Sequence, residues 1–70
     1  MPRCNGEIKR LRLALGLSQN KAAGRADLDR STYRNAEHGE PVSELTVEKI
    51  AMCFSDLSGK PVTAAQLVKE

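Results

Sequence analysis

The sequence predicts an all-α fold, a single compact domain of five short helices, on three observations. Apolar residues recur at helical spacing, first as Ile8, Leu11 and Leu15, later as Val47, Ile50, Ala51, Phe54 and Leu57. Residues suited to start and stop helices fall between these stripes, with Asn5, Ser18, Asp29, Ser43 and Thr63 before them and Gly16, Gly39 and Gly59 after. No stretch alternates convincingly in the manner of a strand; Lys60-Pro61-Val62-Thr63 is too short.

Asn5 is placed to cap the first helix, with Glu7 favourably sited in its first turn and Gly16 suited to end it in a left-handed conformation. Leu17 then turns toward the core, and Ser18 opens a second helix over about Gln19 to Arg25. Ala22 and Ala23 are small enough for a close helix crossing, whereas Gly24 weakens the helix by about 1 kcal/mol relative to alanine. Asp27 sits where the turn wants a residue tolerant of positive φ, and Leu28 is the turn's apolar plug. Asp29 caps a third helix, about Arg30 to Glu37, which buries Ala36 and Tyr33, the Tyr33 hydroxyl reaching water or phosphate at the rim, and stops at His38-Gly39.

Glu40-Pro41-Val42 reads as a linker, because the residue before a proline is disfavoured in a helix. Ser43 caps the fourth helix, which Ser58-Gly59-Lys60-Pro61 ends. Thr63-Ala64-Ala65-Gln66 matches a capping box, and Leu67-Val68 anchors a last one-turn helix.

Seventy residues make one domain, 1–70, whose core is marginal, since a chain of this size buries only about 60–65% of its unfolded surface. Helix packing or a partner subunit has to supply the rest. Cys4 and Cys53 are too few for a disulfide framework and read as two reduced thiols, Cys53 packed and Cys4 exposed near the terminus. With His38 the sole histidine, a zinc site would have to recruit carboxylates, so neither metal nor cofactor is expected. The N-terminus lacks the apolar run of a signal peptide and no stretch is long enough to span a bilayer; a cytoplasmic location is expected.

The net charge of +2 says little, but its distribution says more. Residues 1–39 hold eight Lys/Arg against four acids, and residues 40–70 three Lys against five acids. One end of the domain is thus basic and suited to an anionic partner. Arg30, Ser31, Arg34 and Asn35 are the early exposed positions of the third helix. Arginine can donate twice to guanine O6 and N7, and asparagine can pair with adenine N6 and N7. A short helix bearing such groups, held by a packed partner helix, suits the DNA major groove. Ser18 and Gln19, at a helix start, offer donors to phosphate. Lys9, Arg10, Lys21 and Arg25 are peripheral phosphate contacts at most.

Leu11-Arg12, Leu15-Gly16-Leu17-Ser18-Gln19, Ala23, Leu28, Ser31-Thr32, Glu37 and Gly39 together resemble the lambda-repressor-like helix-turn-helix regulators, the Xre or Cro/repressor family. The likeness runs ungapped from about Ile8 to Gly39 and more loosely through Ile50-Ala51 and Gln66-Leu67. It implies a helix-turn-helix at about 18–37, with the helices at about 43–68 serving packing and dimerisation. It implies that Gln19 bonds a phosphate and braces the recognition helix, and that Arg12 and Glu37 form a partly buried ion pair. The DNA-binding set it implies is Ser18, Gln19, Asn20, Lys21, Arg30, Ser31, Thr32, Arg34 and Asn35. The sequence departs from the family at Ala22, Tyr33 and Asp27, and in the short acidic loop Glu40-Pro41-Val42, where related repressors often grip phosphate with basic residues.

The expected function is a sequence-specific regulator of bacterial or phage type, binding double-stranded DNA at an inverted repeat as a homodimer. The competing expectation is a protein-binding module, such as an antitoxin, anti-repressor or small adaptor, with secondary DNA contact; the acidic C-terminal half favours it. An enzyme is not expected. One histidine, no paired carboxylates at a recognisable spacing and no glycine-rich phosphate loop leave no catalytic role to assign.

Overall fold

The periodicity and punctuation of the sequence translate directly into α1 (Glu7–Ala14), α2 (Gln19–Arg25), α3 (Arg30–Glu37), α4 (Glu44–Ser58) and α5 (Ala64–Leu67). The structure is a computed structural model and describes residues 1–69. The longest helix, α4, turns Val47, Ile50, Ala51 and Phe54 inward, and α1, α3 and α5 all pack against it. The fully buried Ile8, Tyr33, Ile50, Phe54 and Leu67 come from four different helices. Each such side chain contributes about 1.5–3 kcal/mol relative to leaving it in water, so these helices are held by packing and not by propensity.

The helix ends follow the expected chemistry closely. After α1 the Gly16 amide donates to Leu13 O and the Leu17 amide to Arg12 O, with Gly16 at φ 70°. The same closure recurs after α2, where the Asp27 amide donates to Gly24 O and the Leu28 amide to Ala23 O. There the left-handed position is held by Asp27, at φ 57°, the one non-glycine with positive φ among the described residues. Ser18 and Ser43 each accept a backbone N–H, from Lys21 and Thr46. Thr63 and Gln66 form the reciprocal capping box.

Four expectations need correcting. Asp29 stands at the start of α3, yet its carboxylate accepts from the Thr32 hydroxyl at 2.6 Å and not from a backbone amide. Asn5 lies one residue before the α1 cap position, which Gly6 occupies, although its Oδ1 still accepts the Glu7 amide at 2.9 Å. Tyr33 keeps its hydroxyl inside the core and does not present it at a wet rim. Cys4 is only 1% exposed, because residues 3–5 pair antiparallel with residues 67–69.

That pairing is a small clasp. The Asn5 amide donates to Leu67 O and the Lys69 amide to Arg3 O, both at 2.8 Å, around an isolated bridge between Cys4 and Val68. Asn5 Nδ2 adds a bond to Gln66 O at 3.0 Å. The Val42 amide donates to Pro2 O at 3.0 Å, which fastens the loop after α3 to the same segment.

Candidate nucleic-acid interface

The α2–turn–α3 unit is positioned from below by one buried polar cluster. Arg12 on α1 donates through Nε to Glu37 Oε2 at 2.6 Å, through Nη2 to Glu37 Oε1 at 3.2 Å, and through Nη1 to Leu17 O at 3.0 Å. Gln19 Nε2 donates to Glu37 Oε1 at 3.2 Å, so the first residue of α2 and the last of α3 are tied to the same guanidinium. The side chains of Arg12 and Glu37 are 11% and 2% exposed. Burial alone would push the Glu37 carboxyl up; donation from Arg12 and Gln19 outweighs it and holds the group below its ordinary value. The Tyr33 hydroxyl lies close to Glu37 but meets no partner in hydrogen-bond geometry. Burial, first, and the Glu37 charge then push the phenol far above its ordinary value, so it stays protonated.

Above this cluster α3 divides into two faces. Tyr33 and Ala36 are buried, while Arg30, Ser31, Arg34 and Asn35 are exposed. Arg30 and Arg34 stand one turn apart on one face, and neither is in an ion pair among the described residues. They border a shallow depression with Ser18, Gln19, Asn20 and the edge of Arg12. Five of the nine sequence-predicted site residues, Ser18, Gln19, Asn20, Arg30 and Arg34, therefore meet at one concave surface. Lys21, Ser31 and Asn35 are exposed on the same two helices but do not line it. Thr32 is half-buried and its hydroxyl is committed to Asp29.

The surface combines the guanidinium groups of Arg30 and Arg34 with neutral amide and hydroxyl donors, while Arg12 at its edge is committed to Glu37 and Leu17 O, and no carboxylate lines it. Such a set can donate to anionic oxygens and to base-edge acceptors. Arg10, one turn before Ala14, is instead paired with Glu7 on the outer side of α1. Among the described residues no group of three or more His, Cys, Asp or Glu side chains is arranged to hold a metal ion.

A tight pair of crossing helices, braced by a shared carboxylate and exposing arginines from the second, defines a helix-turn-helix domain. A helix-turn-helix family model matches residues 8–55, and the chain belongs to the lambda-repressor-like, Xre-type helix-turn-helix family. This is a family of DNA-binding regulators, typically without enzymatic activity. No curated protein and no solved structure matches the chain. No helix among the described residues is long and apolar enough to cross a membrane.

Proposed function

We propose that this domain is a sequence-specific transcriptional regulator that binds an operator inverted repeat as a homodimer, with α3 in the major groove. The observation that carries the reading is the depression where Arg30 and Arg34 face the start of α2. In this pose Arg30, Arg34 and Asn35 read base edges, and Ser18, Gln19, Asn20 and Lys21 hold the phosphate backbone. Ser31 lies beside the reading residues, and Thr32, through Asp29, steadies the first turn of α3. One such module makes few contacts, and a two-fold pair would place two recognition helices about 34 Å apart on one face of DNA. The outer end of α4 and the residues after it as far as Val68 serve as the surface for the second copy.

Selection of bound sites from random duplex DNA tests the reading. An inverted repeat with half-sites about one helical turn apart is the expected result, and recovery of no preferred sequence would overturn it. Arg30→Ala should cost about 1–3 kcal/mol and relax preference at one base step. Lys21→Ala should weaken all sequences alike. Equal loss on every sequence for Arg30→Ala would remove the base-reading role.

A second reading, a protein-binding module with secondary DNA contact, is favoured by one observation. Leu45 and Met52 stand two turns apart on the outer face of α4, 60% and 68% exposed. Absence of any mobility shift on duplex DNA at low salt would favour it.

A further inference from the structure

The loop between α3 and α4 carries an acidic residue and no Lys or Arg. Glu40 is exposed there and Pro41 has no amide to offer. The clasp delivers two cations to the same place. A β-carbon built on Gly39 would stand 3.6 Å from the Cys4 carbonyl oxygen and 3.8 Å from Lys69 Nζ, so the Lys69 ammonium lies against the end of the recognition helix. The Lys69 amide donates to Arg3 O, and the bridge register sets Arg3 directly opposite Lys69. Cys4 points inward in this register, and Arg3 and Lys69, one residue away on each segment, are both exposed.

Like charges directly opposed across an antiparallel pair repel and cost stability. Such a pair is relieved by an anion. The position also has the right reach. Eight residues make α3 about 12 Å long, close to the major groove's width of about 12 Å. With the first turn of α3 on base edges, its far end falls at the groove wall, where phosphates run.

We propose, resting on the DNA-binding reading above, that Arg3 and Lys69 form a phosphate grip at the C-terminal end of the recognition helix, in place of a basic loop. The grip binds the DNA backbone without regard to sequence. It is built by pairing the two ends of the domain, and fastening of Val42 to Pro2 keeps it in register with α3.

The test uses the full chain and two unrelated mixed-sequence DNA duplexes, titrated by fluorescence anisotropy over a series of salt concentrations. Arg3→Gln and Lys69→Gln should each reduce the steepness of log K against log salt by about 0.9, and the double variant by about 1.8, equally on both duplexes. Lys49→Gln, in the middle of α4 and outside the clasp, should leave the slope unchanged. Thermal melting should show no loss for the glutamine variants, since removing one cation relieves the repulsion. Arg3→Lys and Lys69→Arg keep the charge and should keep the slope even where packing is disturbed. A wild-type slope in the double variant, with the wild type binding both duplexes, would overturn the grip alone. Failure of the wild type to bind either duplex at low salt would overturn the DNA-binding reading with it.

Discussion

Replacing Arg12 with alanine tests the frame beneath the interface most severely. The substitution removes both bonds to Glu37 and the donor to Leu17 O, leaving Glu37 with Gln19 alone at 3.2 Å. The stranded carboxylate is 2% exposed in the folded chain and loses the charge that offsets its burial. Removing one partner of a buried pair costs about 3–5 kcal/mol. A 70-residue domain has about 3.5–10 kcal/mol of stability in all, so about a third or more of it is at stake. At about 4–8 °C per kcal/mol, the melting temperature should fall by about 12 °C or more. Urea unfolding followed by far-ultraviolet circular dichroism at neutral pH measures the loss. The double variant Arg12→Met with Glu37→Leu should recover much of it, because apolar replacement of both members leaves no buried charge. A single Arg12→Ala variant within about 1 kcal/mol of wild type would refute the view that the pair is desolvated and that removal of one member strands the other.

Three further outcomes are expected. Tyr33→Phe removes a buried hydroxyl that has no protein partner, so stability should hold or rise by up to about 2 kcal/mol in the same urea assay, and a loss above about 1 kcal/mol would show the hydroxyl is engaged. The Glu37 carboxyl is held below its ordinary value in the folded state; its contribution is therefore present above the unfolded value and lost as pH falls through the folded one. An acid titration should accordingly show stability falling below about pH 4.5, the ordinary value, with a shallower fall in Glu37→Gln. Gly24→Ala meets nothing within 4 Å and should raise stability by about 1 kcal/mol, read as a higher urea midpoint without a change in DNA affinity.

The helices were legible because their signals are local. Ser18, Gly16, Asp27 and the Thr63–Gln66 box act within four residues of themselves, and each behaves as its chemistry requires. The ion pair was legible only through resemblance, since 25 residues separate its members and no spacing rule joins them. The clasp was not legible at all. Its pairing joins residues more than sixty positions apart, and two short segments with a single bridge carry no alternation to read. For the same reason Cys4 passed for an exposed thiol. The split of α3 into buried Tyr33 and exposed Arg30 and Arg34 followed from spacing, whereas the tying up of Thr32 by Asp29 needed coordinates.

Cys4 gives the clasp a built-in probe. The thiol is 1% exposed and burial raises it above its ordinary value, so a thiol reagent reaches it only after the paired ends separate. Contacts of this sequence separation close the longest loop in the chain and carry its largest closure entropy, so release of the ends before the core is the expected outcome. The labelling rate of Cys4, set against that of Cys53 on α4, therefore separates local release of the ends from global unfolding. If DNA backbone engages Arg3 and Lys69, added duplex should slow Cys4 modification more than it slows Cys53, turning a packed sulfur into a clock for the far end of the recognition helix.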